Sequence, residues 1–137
     1  MKRARDKSQF SAFGLWLQDY CRPDMVVSNL DYIIKDYNAR PWRLMLLEEK
    51  CYSGRMNESS GQWKLFCALD TFFISKAKEF GFDYWGLHLL VMPGESPGPG
   101  MTLNGRAITC EQLVAHINFE QRFSDGYFVE CDLAKAS

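Results

Sequence analysis

The chain has 137 residues, 47% of them apolar and 15% aromatic, with a net charge of −1; it can bury a core as one domain of ordinary size and is too apolar to be mainly disordered. Its apolar stretches are broken by charge or glycine well short of a bilayer span, and the start, Met1-Lys2-Arg3-Ala4-Arg5-Asp6-Lys7, lacks the apolar core of a secretion signal, so no membrane partner is expected and a soluble, cytoplasmic protein is. Cys21, Cys51, Cys67, Cys110 and Cys131 contain no C-x-x-C pair, and neither His88 nor His116 has ligand spacing to a cysteine, which favours reduced thiols and argues against a zinc site.

In chain order, Phe10, Phe13, Trp16 or Leu17 and Tyr20 recur at helical spacing and predict a first helix from about Ser8 to Tyr20 with one apolar stripe. Pro23-Asp24 breaks it, and the β-branched, apolar run from Met25 to Ile34 predicts a strand. A turn over 36–41 leads to a second strand, Trp42 to Tyr52, whose run Leu44-Met45-Leu46-Leu47 suits burial on both faces. So short a connection predicts an antiparallel pair. After a polar loop, Ser59 or Ser60 caps a long helix to Phe80, ended by Gly81, with Trp63, Phe66, Cys67, Phe73, Ile74 and Ala77 as its buried stripe. A third strand runs from Tyr84 to Met92. Pro93 to Gly100 is then an irregular, mobile loop, either a flap near substrate or a tolerant connection. Asn104-Gly105 marks a tight hairpin, and Thr109 with Gln112 is a capping box opening a short helix through Asn118. The tail beyond Arg122 carries no clear local signal. One domain, 1–137, is expected, with a core at about 8–92 and a C-terminal hairpin and helix at 101–119.

The chemistry concentrates on Asp31 and on Glu48-Glu49-Lys50. Side chains alternate along a strand, so Glu48 and Lys50 share a face while Glu49 points away. Both follow an apolar run that delivers them to the edge of the core. A neighbouring strand carrying Asp31 brings a second carboxylate. Two such carboxylates, with the backbone carbonyl of Glu49 as a further oxygen, suit Mg²⁺ or Mn²⁺. A lysine beside that metal can position or help deprotonate an attacking water and offset transition-state charge.

With this order of helix, Asp strand, E-x-K strand, helix and strand, the chain resembles the PD-(D/E)XK nuclease superfamily, in particular small phage-type members. The resemblance implies an α/β restriction-endonuclease-like fold, a central mixed β-sheet flanked by helices, and metal-dependent hydrolysis of DNA phosphodiester bonds. It implies that Asp31 and Glu48 bind metal and that Lys50 is the catalytic lysine. Gln62, near the start of the following helix, matches a glutamine that many members aim at the site. Leu30 stands where the motif's proline would be, and the first helix offers only Asp19 as an acid, so the resemblance supplies no ligand for a second metal ion. Double-strand cutting would call for two sites and hence a homodimer, which no motif establishes. The alternative is the same fold without catalysis, serving as a nucleic-acid or protein-binding module.

Charge is uneven: residues 1–64 hold 11 Lys and Arg against 8 Asp and Glu, and residues 65–137 hold 5 against 9. That permits a basic face, with Arg40, Arg43, Arg55 and Lys64, which flank the motif in sequence, as candidate nucleic-acid contacts. The basic run from Lys2 to Lys7 is either a phosphate grip or an unstructured lead-in. His88, inside an apolar strand, is expected to be a hydrogen-bonded core or edge residue and His116 a helix-surface one. No elbow motif supports a Ser-His-Asp or Cys-His nucleophile.

Overall fold

The computed structural model describes residues 11–22, 24, 30–54, 56 and 61–130. It is an α/β arrangement: α1 (Ala12–Tyr20), β1 (Tyr32–Asp36), β2 (Arg43–Lys50), α2 (Gly61–Phe80), β3 (Asp83–Val91), β4 (Thr102–Leu103), β5 (Arg106–Ala107) and α3 (Cys110–Ile117). The strands form one five-stranded mixed sheet in the order β1-β2-β3-β4-β5, with β2 and β3 parallel and the other pairs antiparallel. No described helix is long and apolar enough to cross a membrane.

The alternation read from β2 holds. Leu44 and Leu46 face α2 and pack with Phe66, Leu87 and Leu89. Leu47 faces the other way, with Leu90, Ile108 and Leu113 of the α3 side, and Met45 packs with Trp85 and Phe119. Gly81 ends α2 at φ 73°, and the amides of Gly81 and Phe82 both return to the Ala77 carbonyl, at 2.9 and 3.1 Å; the left-handed geometry is one that glycine adopts without a Cβ penalty. The predicted hairpin is a type I′ turn with Asn104 at φ 53° and Gly105 at φ 86°. Thr109 and Gln112 close the predicted capping box.

Several expectations are corrected. The ring stripe of α1 is not buried: Phe13, Trp16 and Tyr20 are 65, 52 and 69% exposed. They stack on one another at 5.8 and 4.8 Å instead of entering the core clusters. The first strand covers Tyr32–Asp36, so Asp36, read as a turn residue, is its last member opposite Arg43; residues 25–29 lie outside the described ones, as do residues 8–10, Ser59 and Ser60. Ile74 is exposed, because the buried face of α2 runs through Phe66, Asp70, Phe73 and Ala77 and Ile74 lies one step, about 100°, past Phe73. The tail that sequence left unplaced crosses back over the sheet. Phe123 joins the α3-side cluster, and Phe128 joins the α2-side cluster against the edge of Trp63.

A β-bulge sits in β3, where Tyr84 and Leu87 bracket two residues opposite Met45 alone. The extra residue keeps Tyr84 and Leu87 on one face despite their odd spacing. Asp70 of α2, itself buried, answers the bulge by accepting from the Leu87 amide at 3.0 Å and the Tyr84 hydroxyl at 2.6 Å. Burial pushes its carboxyl above the usual range while these two donors pull it back.

His88 is a hydrogen-bonded core residue, as expected: its Nε2 donates to the Trp85 carbonyl (2.7 Å) and its Nδ1 accepts from Asn104 Nδ2 (3.0 Å). His116 is not on the surface. It is fully buried, its ring 4.5 Å from that of His88, and its Nδ1 accepts from the Phe123 amide. Tertiary closure by the 119–123 segment covers the helix face that sequence assigned to solvent. Both rings already use their acceptor nitrogen, so an added proton would meet a donor. Burial depresses His88 to about 3, aided by His116 and Arg122, and His116 to about 4, aided by Arg122. A depressed histidine pKa contributes stability above its ordinary value, and that stability is lost as pH falls through the window between the two. Thermal melts should therefore drop steeply between pH 6.5 and 4, with His116 alone accounting for about 3 kcal/mol at the acid end. His116→Leu should flatten that slope; an unchanged slope would show that carboxylates elsewhere set the acid limit.

Candidate active site

The site forms where the parallel strands β2 and β3 end together, with Lys50 opposite Val91; this carboxyl end is where open α/β sheets place ligands. Glu48 and Lys50 lie on the α2 face with Leu44 and Leu46. Glu48 is only 2% exposed and Lys50 half-buried. Gln62, one residue into α2, reaches both: its Nε2 donates to Glu48 Oε2 at 3.2 Å and its Oε1 accepts from Lys50 Nζ at 3.1 Å. One amide thus fixes the carboxylate and the ammonium relative to each other.

Asp31 stands just before β1. The β1–β2 pairing sets Tyr32 opposite Leu47, so one further step sets Asp31 opposite Glu48. Its Oδ2 accepts from the Glu49 amide at 2.9 Å, which holds the carboxylate against the strand that carries Glu48. The side chain of Glu49 points to the opposite face and accepts from the Tyr32 hydroxyl at 3.3 Å. That carboxylate holds the Tyr32 phenol above its usual range. Cys51, next along the strand end, is pushed up by burial and then by Glu49, Glu95 and Asp31. The acidic field at this edge is what a cation would neutralise.

The residues expected at the site therefore divide. Asp31, Glu48, Lys50 and Gln62 come together, with the Glu49 backbone between the two carboxylates. Arg43 does not join them: it begins β2, about 17 Å from Glu48 at ~3.3 Å per residue, and its Nη1 donates to the Phe119 carbonyl at 2.7 Å. Its role there is to tie β2 to the segment after α3. Arg40 is exposed in the β1–β2 turn at that same far end. The flanking read from sequence fails for both because a strand carries its two ends apart. Lys64 is exposed on α2 but sits about 200° round the helix from Gln62. Arg55 lies outside the described residues.

As a metal site the donor set is chemically consistent. Two carboxylates and a backbone carbonyl are hard oxygen ligands, and Mg²⁺ commonly takes one or two carboxylates while keeping waters and substrate phosphate. Among the described residues no group of three or more His, Cys, Asp or Glu side chains converges, so a third acidic ligand is not supplied there. Sequence reasoning passed over Tyr32, Tyr52 and Glu95, which surround the strand end; single aromatic residues in a strand and its following turn carry no signal of their own.

Comparison with protein-family models, with curated proteins and with solved structures finds no match to this chain.

Proposed function

We propose that this chain is a restriction-endonuclease-like domain of the PD-(D/E)XK type that hydrolyses DNA phosphodiester bonds with Mg²⁺ or Mn²⁺. The observation that carries the reading is the convergence of Asp31, Glu48, Lys50 and Gln62, 31 residues apart in sequence, at one strand end, with Gln62 bridging Glu48 and Lys50. Chance solvated charges have no reason to share one part-buried amide.

In this reading Asp31, Glu48 and the Glu49 carbonyl hold the metal. The metal supplies Lewis acidity and a water made easier to deprotonate. Lys50 lies beside the two carboxylates, where its ammonium offsets charge growing on the phosphoryl oxygens and orients the attacking water. Gln62 removes freedom from a long side chain that would otherwise sample many rotamers, so Lys50 meets the substrate already placed. The Glu48 side chain sits at the edge of an apolar cluster, where low dielectric strengthens its pull on a cation. A reducing, cytoplasmic setting belongs to the same proposal, in keeping with free thiols at Cys21, Cys51, Cys67 and Cys110. So does a pair of chains for cutting both strands of a duplex.

The test is cleavage of supercoiled plasmid, linear duplex, single-stranded and branched DNA with Mg²⁺ or Mn²⁺ against an EDTA control. Metal binding gives an independent reading. Mn²⁺ at ten times its Kd should stabilise the fold by about 1.4 kcal/mol. The melting temperature should then rise by roughly 4 °C in a domain of this size, reversibly with EDTA. The second reading, a binding module without catalysis, is favoured by the absence of a third acidic side chain among the described residues. A flat melting temperature together with no cleavage of any substrate would establish that reading in place of the first.

A further inference from the structure

The strand that carries Glu48 and Lys50 runs directly into a four-residue turn, Cys51 to Gly54, closed by the Gly54 amide on the Cys51 carbonyl at 3.1 Å. Its two central residues, Tyr52 and Ser53, both sit at φ 55°. That is the type I′ geometry, which Asn-Gly makes with little strain and which a tyrosine makes poorly. The same chain uses Asn104-Gly105 for the type I′ turn of its β4–β5 hairpin. Among the described residues one other aromatic, the buried Phe119 at φ 59°, shares this left-handed geometry, and Tyr52 is the exposed one, placed two residues past Lys50. Such strain persists where the side chain is wanted at that spot, and the inference runs from the outlier to a function.

The surroundings hold the turn in place. The Tyr52 amide donates to the Gly94 carbonyl at 3.2 Å and the Ser53 amide to the Met92 carbonyl at 2.8 Å, pinning the turn to the loop after β3. The Tyr52 hydroxyl donates to Glu95 of that loop. The turn folds back on the site, since a Cβ on Gly54 would lie 3.4 Å from the Lys50 Cβ. Against all this anchoring, the Tyr52 ring is 67% exposed. A fixed, solvent-facing aromatic residue in the turn that follows Lys50 has the chemistry of a base-stacking platform.

We infer that Tyr52 is a substrate-positioning residue whose ring stacks on an unpaired base next to the scissile phosphate, so that the favoured substrate is single-stranded DNA or a duplex with an unpaired segment. The inference rests on the nuclease reading. Bases inside a duplex are already stacked on their neighbours, so only an unpaired base can offer its face to the ring.

The experiment measures binding of the full chain, in EDTA, to a short single-stranded DNA carrying 2-aminopurine and to a blunt duplex of the same sequence. Tyr52→Gly should weaken single-strand binding by about 10-fold or more and abolish the stacking quench of 2-aminopurine. Duplex binding should not change. Its melting temperature should equal or exceed that of the wild type, because glycine relieves the left-handed strain. Tyr52→Phe, which keeps the ring and loses the bond to Glu95, should bind like the wild type. The inference is overturned if Tyr52→Gly binds the single strand as well as the wild type, or if Tyr52→Phe loses as much as Tyr52→Gly. It is equally overturned if the wild type does not bind the single strand. Because binding is measured without metal, a protein that cleaves nothing yet shows the Tyr52→Gly loss separates a failure of catalysis from a failure of stacking.

Discussion

Lys50→Met is expected to lower metal-dependent DNA cleavage by about 10²–10³-fold, the usual loss when one preorganised charge-stabilising group is removed from a reacting centre. Methionine keeps the unbranched stem, so packing near Gly54 should survive and the melting temperature should stay close to that of the wild type. Glu48→Gln should be at least as damaging to cleavage and should also remove the Mn²⁺-induced rise in melting temperature. Glutamine preserves an acceptor for Gln62 Nε2 at a site only 2% exposed, which makes the change one of charge and not of shape. Gln62→Leu should cost less, roughly 10–100-fold, as expected of a group that acts by orienting others. In a Lys50→Met background the Gln62→Leu change should add little, because residues acting through one another are not additive. Wild-type cleavage in both Glu48→Gln and Lys50→Met would remove this site from the chemistry.

The largest effect on stability is expected at Gly86. Its φ is 94°, and a Cβ there would stand 2.7 Å from the Asp125 carbonyl oxygen, a backbone atom that cannot swing aside. Gly86→Ala must therefore bear left-handed strain and also displace the 125–126 segment from the bulge. Together these should cost about 2–4 kcal/mol, or roughly 10 °C in melting temperature for a domain of this size. Gly105→Ala isolates the first component. That glycine has φ 86° with nothing within 4 Å of its added Cβ, so it should cost only about 1 kcal/mol. Equal melting temperatures for the two variants would mean that the 125–126 segment yields freely, and that the bulge is not clamped as described.

What could be read along the chain was whatever depends on neighbours in sequence. Gly81 stops α2 because a left-handed residue without a Cβ is available there. Thr109 and Gln112 cap α3 across three residues, and Asn104-Gly105 turns the hairpin on its own dihedrals. Alternation along β2 put Glu48 and Lys50 on one face and Glu49 on the other, so the kernel of the candidate site was legible as well.

Tertiary structure alone decided which distant groups meet. The parallel register of β2 and β3, with its bulge, has no local signature beyond a glycine in an apolar strand; the buried Asp70 that satisfies the bulge is 17 residues from Leu87. His116 faces the core because the 119–123 segment folds over α3, and Phe128 reaches the α2 side only because the chain crosses back. Arg40 and Arg43 stand near the motif in sequence yet at the far end of the strand in space, since an extended chain separates residues by about 3.3 Å each. Local dihedral and side-chain preferences act over a few residues and are written into the sequence directly. Long-range pairing depends on which apolar faces can be buried together, and that is settled only when the whole sheet closes.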